Sequence, residues 1–586
     1  MATIPSRRAT VYRTMEANPA ETDRPDSDWW KSAVVYQVYP RSFADSNGDG
    51  IGDLRGIIEH LDHIQLLGID VVWLSPVYRS PQDDNGYDIS DYQDVDPVFG
   101  TLADLDELVT GIHLRGMRII LDLVVNHTSD EHAWFQDSRT SRTSAHADWY
   151  VWRDPRPGTT GGTPGAEPNN WGAFFGGSAW EWEPARGQYY LHLFSKKQPD
   201  LNWDNDVVRA AVYGMMTSWL DRGVDGFRMD VINFISKDPG FPDGAVLANG
   251  YGDGTPFFSY GPHIHDYLAE MKSTVFDTRP TTVFTVGEMP TVTPEQAARF
   301  TDARTGQLNM VFQFEHVDLD HDGVKWNHRP ATVLDLKRSF GRWQEALAEH
   351  GWNSLYWSNH DQPRVVSRWG NDREYWYESA TALATVLHLH RGTPYVYQGE
   401  ELGMTNGTFA TLDEFRDIES LNYYDVATNT LGLAPDDVLT GMRRISRDNA
   451  RLPVHWDGGA HAGFTTGEPW MPVHSNHTWL NAAAQVGDPN SVYTFYRRLI
   501  GLRHSSRIVV DGTFTMLLAD HPTVYAFIRE SIDGRLLVVA NLSDEPASVE
   551  LDELDGAELL LANHARTPAG RFDPWDARVY RLPRRG

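Results

Sequence analysis

The sequence predicts an α/β protein: a (β/α)8 barrel with a loop-rich subdomain inserted after the third strand and an antiparallel β domain at the C-terminus. Eight short apolar runs occur along the chain, and stretches with apolar residues at helical spacing separate several of them. After about residue 509 the pattern changes to short alternating strands. Apolar strands that alternate with helices form parallel sheets with the helices outside, so eight such units are expected to close into a barrel.

The predicted barrel strands are spread from residue 34 to residue 398. In chain order they are residues 34–39, 71–74, 119–125, 224–230, 282–288, 310–314, 355–358 and 395–398. The clearest helical patterns between them are residues 54–67, 102–115 and 206–221. The alternation predicts that these helices form the outer layer of the barrel.

Two connections are much longer than ordinary barrel loops. Residues 128–198 follow the third strand, are rich in Gly, Pro, Trp and Asn, and are predicted to form an inserted subdomain. A second insertion, at about residues 403–476, follows the eighth strand. Long loops in compact domains usually carry function, and both leave the end of the barrel where the strands finish. The catalytic barrel is therefore expected to comprise residues 29–127 and 199–508.

The C-terminal part of the chain, residues 509–586, predicts a β-sandwich domain. Residues 523–528 and 536–542 alternate apolar and polar side chains, as half-buried strands do. The dipeptides Asp533-Gly534 and Asp555-Gly556 are typical turn signals between such strands.

Composition limits the classes of partner. The chain has 586 residues, a formal net charge of −30 and no cysteine, which argues against nucleic-acid binding and excludes a disulfide framework. Residues 1–28 lack the apolar core of a secretory signal and are predicted to be a disordered extension. No run of about 18 apolar residues predicts a membrane span. We therefore expect a cytoplasmic monomer that acts on a small molecule.

Charged and polar side chains stand at the predicted ends of four strands. They are Asp122, Asn126 and His127 on the third, Arg228 and Asp230 on the fourth, Glu288 on the fifth, and His360 and Asp361 on the seventh. A barrel gathers the carboxyl ends of its strands at one rim. Asp230, Glu288 and Asp361 would then share a pocket with two imidazoles and one guanidinium, and a structural core has no reason to collect so many charges.

Such a set of side chains suits the cleavage of a glycosidic bond. The oxocarbenium-like transition state needs a carboxylate near the anomeric carbon, and the leaving oxygen needs a proton from a second carboxyl group. A separation of about 5–5.5 Å between the two groups gives retention through a covalent intermediate. An arginine beside the nucleophile keeps it ionised, while a poorly solvated glutamate holds its proton near neutral pH.

The segments around these strand ends resemble the motif set of the α-amylase family of glycoside hydrolases, in its oligo-1,6-glucosidase and α-glucosidase branch. The segments read DLVVNH, VDGFRMD, TVGE and SNHD. Supporting stretches are VVYQVYPRSFADSNGDGIGDLRGI, SPVYRSPQDDNGYDISDY, LHLFSKKQPDLNWDN, NHDQPRVVSRWGND and TPYVYQGEELGM. The resemblance runs from Trp29 to the C-terminus and implies exo-acting, retaining hydrolysis of short α-glucosides from the non-reducing end.

The resemblance implies roles for the catalytic residues. Asp230 would be the nucleophile, and Glu288 the general acid and then the general base. Asp361 would bind the sugar through its ring hydroxyls and distort it. Arg228 would orient Asp230 and keep it ionised. No cofactor is expected to take part in catalysis.

The same resemblance implies a binding site for the terminal glucose. His127 and His360 would hydrogen-bond its hydroxyls. Asp84 would hold its non-reducing end, with Tyr87 stacking on the sugar ring. Arg451 would pair with Asp84 and close the pocket, although the residues after this arginine, LPVHWD, differ from the sequence that is usual in the family.

Further residues are implied to line the pocket and to set linkage preference. Gln198, Phe175 and Arg416 match lining positions of the branch. Val231, directly after the nucleophile, would border the next sugar, where a stiff, β-branched side chain offers no hydrogen bond. In the branch, valine at this position accompanies a preference for α-1,6 links, and the pair Met289-Pro290 points the same way.

A separate motif predicts a structural metal site. Oxygen-bearing side chains alternate with glycines in DSNGDGIGD, as in the first part of an EF-hand loop. The expected ligands are Asp45, Asn47, Asp49, the backbone carbonyl of Ile51, and Asp53. Gly56 stands where an EF-hand has its bidentate glutamate, so the loop is no EF-hand. We expect Ca²⁺, with Mg²⁺ as a second possibility; a turn held by side-chain hydrogen bonds is the alternative.

Other functions remain open at this stage. The same covalent intermediate would support an α-1,4-glucosidase, a sucrose isomerase or a transglucosidase, depending on the acceptor side of the pocket. From a different class, the barrel glycoprotein that accompanies amino-acid transporters has a similar fold. That protein would need a membrane helix and need not keep the carboxylates.

Overall fold

The computed structural model describes residues 11–12, 26–564 and 568–583. Within this part of the chain, eight parallel strands form the central sheet. They are β1 (Val35–Val38), β2 (Val71–Leu74), β3 (Arg118–Val124), β4 (Gly226–Asp230), β5 (Phe284–Glu288), β6 (Met310–Phe312), β7 (Ser354–Leu355) and β8 (Thr393–Tyr397). The predicted strands overlap these bounds, with ends displaced by at most three residues.

The strands follow one another around the barrel in the order β6-β5-β4-β3-β2-β1-β8-β7. Every neighbouring pair in this order is parallel. In the described residues, β6 and β7 meet through one isolated parallel bridge between Val311 and Asn353, and the Ser354 hydroxyl donates to the Val311 carbonyl at 2.6 Å. The sheet is therefore a nearly closed barrel, which confirms the predicted fold class.

Alternate residues along the strands pack on opposite faces of the barrel wall. One set fills the interior, including Val35, Trp73, Ile120, Phe284, Val286, Met310 and Tyr395. The intervening residues face the helices and belong to the larger outer core. Because side chains on a strand alternate between faces, this parity decides which strand-end side chains point into the barrel.

Helices cover the barrel wall. They are Leu54–Glu59, Leu61–Leu67, Leu102–Leu114, Asp206–Asp221, Ile264–Met271, Pro294–Thr301, Val333–Ala346, Trp376–His388 and Val492–His504. The helix predicted at 54–67 is divided at His60, which has φ −108° and a ring Nδ1 that bonds the Gly56 carbonyl at 2.8 Å. Thr101 and Asp104 form a capping box at the start of Leu102–Leu114, which explains its sharp beginning.

The inserted subdomain packs directly against the loop that follows β4. It contains a helix at Ala133–Ser138 and an antiparallel sheet of Trp152–Arg153, Gln188–Leu191 and Trp180–Glu183. Trp171 and Trp180 share one buried cluster with Val231 and Phe234. The residue after the predicted nucleophile is therefore held between the barrel and the subdomain.

The insertion after β8 has its own small core. It carries the helices Ile418–Asp425 and Pro435–Ile445 and a π-helical turn at Val426–Thr430. Its core includes Phe409, Phe415, Met442 and Met471. A short 3-10 turn, Arg447–Asn449, returns the chain to the open end of the barrel.

The C-terminal domain is an antiparallel sheet packed on the barrel. In spatial order its strands are Val11–Tyr12, Glu558–Ala562, Ala577–Leu582, Gly534–Asn541, Val524–Ser531 and Thr513–Leu517. One face contributes to the barrel's outer core, and the other packs against Ala547–Ser548 and Arg571–Phe572, which form a two-stranded sheet. Most of the predicted extension at 1–28 lies outside the described residues. No helix within the described residues is long and apolar enough to cross a membrane.

Candidate active site

Four of the predicted strand-end residues, His127, Asp230, Glu288 and Asp361, line a cavity of about 360 Å³ at the carboxyl ends of the barrel strands. Its inner part is lined by Asp84, Tyr87, His127, Asp230, Glu288 and Asp361. A pocket of this size suits a small ligand. A larger cavity of about 570 Å³ lies among segments that precede β5, β6 and β7. It contains none of these side chains, and the amino end of such barrels contributes stability rather than chemistry.

Strand parity explains why the charged side chains meet. Phe227 and Met229 face the outer core, so Arg228 and Asp230 point into the barrel. Glu288 has the same parity as the interior residues of β5. Asp122 lies directly opposite Arg228 in the register between β3 and β4. The alternation of side chains along β3, β4 and β5 therefore directs three acids and one arginine into the same part of the barrel interior.

The Arg228 guanidinium connects these three carboxyl groups. Its Nη1 donates to Asp230 Oδ1 at 2.7 Å and to Asp122 Oδ1 at 2.5 Å, and its Nη2 lies 2.6 Å from Glu288 Oε1. The arginine side chain is 1% exposed. Asp230 and Glu288 are thus separated by no more than the span of one guanidinium and its two hydrogen bonds. Adjacent carboxyl groups of this kind are what glycosidic bond cleavage requires.

Three buried carboxyl groups around one guanidinium cannot all be ionised at low cost. Burial raises the pKa of Asp230 and of Glu288 to about 7 each, against the opposing effect of Arg228. Burial likewise raises the pKa of Asp122 to about 6. The cluster therefore retains a proton near neutral pH. It can present an ionised carboxylate and a protonated carboxyl group side by side.

Val231 has an unusual backbone conformation beside these groups. Its φ of 35° and ψ of 41° lie in the left-handed region, which a β-branched residue rarely adopts. In this conformation the Val231 N–H donates to Glu288 Oε2 at 3.1 Å. The side chain lines the cavity and is 6% exposed. Local strain is thus associated with the orientation of the glutamate.

His360 and Asp361 stand in the loop after β7, because that strand already ends at Leu355. Gln37 Nε2 donates to His360 Nδ1 at 2.9 Å, which leaves the proton on Nε2, 3.1 Å from Asp361 Oδ2. Burial lowers the pKa of His360. Tyr87 stacks on this imidazole with ring centroids 4.9 Å apart. Its predicted contact with a sugar ring stays a prediction.

The predicted partner of Asp84 is wrong: the cation is Arg447 rather than Arg451. Arg447 Nη2 lies 3.1 Å from Asp84 Oδ1, and Nη1 lies 3.3 Å from Asp361 Oδ1. Arg451 Nη2 instead lies 2.9 Å from Asp361 Oδ1, and its Nε donates to the His360 carbonyl at 3.2 Å. The reason is the 3-10 turn Arg447–Asn449, which presents both arginines to the same side, with the earlier one reaching Asp84.

The same two arginines determine the charge of Asp361. The Asp361 side chain is 27% exposed, and the His360 imidazole and the guanidinium groups of Arg447 and Arg451 hold its pKa well below the usual range, against the opposing effect of desolvation. Asp417, which is buried behind the arginines, accepts from Arg447 at 2.5 Å. Its pKa is lowered to about 2 by the same cations, against the effect of burial. Asp361 is therefore a permanent anion of the pocket.

His127 and Gln198 form the opposite side of the inner pocket. His127 Nε2 donates to the Tyr87 carbonyl at 3.1 Å, and burial lowers its pKa to about 4, so the ring is neutral. Gln198 lies behind the cavity lining and donates to Asp84 Oδ2 at 3.1 Å. The role of Gln198 in the structure is therefore to orient Asp84.

Of the other residues predicted to line the pocket, Phe175 does so and Arg416 does not. The Arg447 guanidinium lies 5.0 Å from the centre of the Phe175 ring. Arg416 is exposed and bonds the backbone carbonyl of its neighbour Phe415 at 3.1 Å. Phe415 is buried against Phe409, with ring centroids 4.5 Å apart, and this anchor turns the following side chain outward.

Sequence reasoning assigned no role to Asp122, Arg447 or Asp417. Asp122 had a signal, because its position in β3 gives it the same inward parity as the interior residue Ile120. Arg447 also had one, since it lies four residues before the matched arginine. Asp417 lies in the long insertion, and no local pattern relates it to the barrel.

The predicted metal loop folds as a tight turn. The side-chain oxygens of Asp45, Asn47 and Asp49 each accept the N–H of the residue two positions later, at 2.9 Å. Asp53 caps the helix that begins at Leu54. These bonds hold the turn. Asp45 Oδ1 also accepts from the Gly48 N–H, and Asp45 Oδ2 accepts from the Gly50 N–H and the Thr465 hydroxyl, so of these three side chains Asn47 and Asp49 keep a lone pair that a hard cation could share. Within the described residues, no three His, Cys, Asp or Glu side chains converge on a metal position. The Ca²⁺ ion stays a prediction.

Comparison with known proteins adds independent findings. The family model for "Alpha amylase, catalytic domain" matches residues 37–512, and that for "Maltogenic Amylase, C-terminal domain" matches residues 514–570. The chain is 51% identical to an oligo-1,6-glucosidase of Parageobacillus thermoglucosidasius over 94% of this chain and 99% of that protein.

Solved structures are similar over nearly the same length. A trehalose-6-phosphate hydrolase of Bacillus licheniformis matches with a TM-score of 0.90 and 44% identity, covering 95% of this chain and 100% of that one. An isomaltulose synthase from Erwinia rhapontici NX5, in complex with sucrose, matches with a TM-score of 0.89 and 40% identity, covering 94% and 99%.

Proposed function

Because the chain belongs to the α-amylase family, we propose that it is a retaining α-glucosidase that releases glucose from the non-reducing end of short α-glucosides. One observation carries the proposal: a single buried guanidinium, that of Arg228, contacts both Asp230 and Glu288 at the inner end of a small cavity. The similarity to an oligo-1,6-glucosidase over almost the whole chain supports it.

Catalysis would proceed in two displacements. In the first, Asp230 attacks the anomeric carbon while Glu288 gives its proton to the leaving oxygen, which forms a glycosyl ester. In the second, Glu288 accepts a proton from water, and that water displaces Asp230 to release glucose in the α configuration. The shared proton of the buried cluster supplies both protonation states at neutral pH.

Exo action would follow from the charges at the inner end of the pocket. Asp84 and Arg447 form a buried ion pair there, and Asp361 forms a second ion pair with the same arginine. These groups offer hydrogen-bond acceptors and donors to the hydroxyls of one terminal glucose. A chain that continued past this glucose would have to break the ion pair, so we expect polymeric starch to be a poor substrate.

A preference for α-1,6 links would depend on Val231. Its side chain lines the cavity next to the carboxyl pair, and its backbone position is restrained by the bond to Glu288. An α-1,6 link adds a methylene group, which lets the second sugar turn away from a stiff apolar side chain. The second candidate is transfer of glucose to a sugar hydroxyl, as in a sucrose isomerase, which the similarity to an isomaltulose synthase favours.

We propose three further properties. The loop at residues 45–53 would bind Ca²⁺, with Mg²⁺ as the alternative, because it offers only oxygen donors. The protein would act in the cytoplasm, in keeping with the absence of cysteine from the sequence. It would act as a monomer, which size-exclusion chromatography with light scattering would test.

The decisive experiment combines variants with product analysis. Asp230→Asn and Glu288→Gln are expected to lower kcat for isomaltose by at least about 1,000-fold while the proteins remain folded. Proton NMR should show α-glucose as the first product of the unmodified enzyme. First appearance of β-glucose would exclude retention, and high activity of the Asp230→Asn variant would exclude the assigned nucleophile. Isomaltulose as the main product from sucrose would favour the transfer reaction.

A further inference from the structure

We infer that the outer part of the pocket accepts a neutral sugar and rejects a phosphorylated one, and that the ion pair between Lys325 and Glu419 enforces this selection. The inference rests on the proposed function and goes beyond it, because it concerns the chemical class of the leaving group. Because the chain is also similar to a trehalose-6-phosphate hydrolase, overall similarity does not tell whether the leaving sugar can carry a phosphate. The charges in the outer pocket are the relevant observation.

The outer pocket has an apolar wall and a charged wall. The apolar wall comes from the inserted subdomain and the loops after β4 and β5, and consists of Phe174, Phe175, Phe194, Val231, Phe234 and Pro290. The charged wall comes from the loops after β6 and β7 and from the insertion after β8, and includes Asp318, His321, Lys325, Gln362, Arg368 and Glu419. Two such walls suit the apolar and hydroxylated faces of a sugar.

Lys325 is the most exposed Lys or Arg side chain of the cavity lining, but it already forms an ion pair. Its Nζ lies 2.6 Å from Glu419 Oε2, with side-chain exposures of 27% and 20%. The next residue, Trp326, stacks on Tyr423 with ring centroids 4.5 Å apart and planes 10° apart. Both contacts fasten the loop after β6 to the helix Ile418–Asp425. Lys325 therefore points to Glu419 as a consequence of the packing of its own segment.

The other cations that line the cavity are engaged as well. Arg368 contacts Asp320 through Nε and Nη2, each at 2.7 Å, and its side chain is 4% exposed. Arg447 is engaged by the inner-pocket acids and also lies 3.6 Å from Glu419. Among the described lining residues, six carboxyl groups face three Lys or Arg side chains. A phosphate needs charge-assisted donors, and the Lys and Arg side chains of this lining are each already bonded to a carboxylate.

Glu419 has the central place in this arrangement because it lies between Lys325 and Arg447. Removing its charge while keeping its size would free the ammonium group of Lys325 in a half-buried position at the cavity wall. An unpaired cation there is what a phosphate on the leaving sugar would recognise. Glu419 is thus a specificity-determining residue, and its substitution should weaken the discrimination against phosphorylated sugars.

The test compares the binding of trehalose and trehalose 6-phosphate, which differ only by the phosphate. Isothermal titration calorimetry with a Glu288→Gln background would avoid turnover. We expect trehalose to bind at least ten times more tightly than its 6-phosphate. Adding Glu419→Gln should reduce this ratio at least five-fold, and adding Lys325→Gln to that variant should restore it.

Asp318→Asn is the matched control, because it removes a lining carboxylate that contacts His321 and not Lys325. It should change the ratio less than two-fold. Equal or tighter binding of the phosphorylated sugar by the parent, an unchanged ratio in Glu419→Gln, or no binding of either disaccharide would overturn the inference. Failure of the unmodified enzyme to hydrolyse isomaltose or any other α-glucoside would instead refute the proposed function.

Discussion

Replacing the proposed nucleophile should stabilise the folded protein at alkaline pH. Burial raises the pKa of Asp230 to about 7, whereas a carboxyl group in an unfolded chain titrates near 4. The folded state therefore holds this proton more tightly, and its relative stability falls as pH rises from about 4 to about 7. Above pH 7 the full cost of the buried charge is present. Asp230→Asn removes the charge and keeps an oxygen that accepts from Arg228.

The size of the effect follows from the pKa difference. About three pH units at about 1.4 kcal/mol each give an upper limit of about 4 kcal/mol. Glu288 and Asp122 share the same guanidinium and take up part of the proton, so we expect about 2–4 kcal/mol. With an unfolding entropy of about 2.1 cal/mol/K per residue, this raises Tm by about 2–3 °C for a chain of 586 residues.

Thermal unfolding followed by tryptophan fluorescence at pH 8 and pH 5 would measure the difference. Asp230→Asn should gain its full increment of Tm at pH 8 and about a third of it at pH 5, since less of the charge cost is present there. Asp533→Asn, an exposed aspartate in a turn of the C-terminal domain, is the control for net charge and should show no gain. A gain that is equal at both pH values, or a loss at pH 8, would refute the reasoning.

Three further outcomes are expected. Removing Ca²⁺ with a chelator should lower Tm, because an ion that binds only the native state stabilises that state. The Asp45→Ala variant should show no such dependence of Tm on Ca²⁺. Loss of activity in an enzyme that is chelated but still folded would contradict a purely structural role for the ion. The kcat/KM for isomaltose should exceed that for maltose by about ten-fold, and Val231→Thr should narrow the gap; maltose as the better substrate would reverse the linkage assignment. Arg447→Ala should raise KM for isomaltose at least about ten-fold, while the exposed Arg416→Ala should leave it within two-fold, as steady-state kinetics would show.

The inner pocket could be predicted because it depends on short-range rules. A strand alternates its side chains, so Arg228 and Asp230 had to share a face, and a parallel barrel gathers strand ends at one rim. The cluster of acids around one arginine follows from these two facts. The same rules also placed Asp122 inside, although its importance became visible only from its contact with Arg228.

The contacts of the long insertion after β8 depend on a chain path that no local pattern determines. Arg447 and Arg451 are equivalent in a linear motif, and only the 3-10 turn between them decides which one reaches Asp84. Arg416 points outward because Phe415 anchors the chain in a small core of the insertion, a contact between residues that composition does not relate. Glu419 meets Lys325 across 94 residues of sequence, and nothing near either residue indicates that pairing.

The weak backbone pairing between β6 and β7 makes the junction of these two strands the place where the barrel is expected to open locally. Other neighbouring strands share longer ladders, whereas these two share one isolated bridge and the hydroxyl bond of Ser354. Sub-global opening should begin where backbone pairing is thinnest. In native-state hydrogen–deuterium exchange, amides of Met310–Phe312 should therefore lose protection before those of Gly226–Asp230. Since the loop that carries Lys325 follows β6, such fluctuations would loosen the rim that meets the leaving sugar and leave the catalytic strands intact.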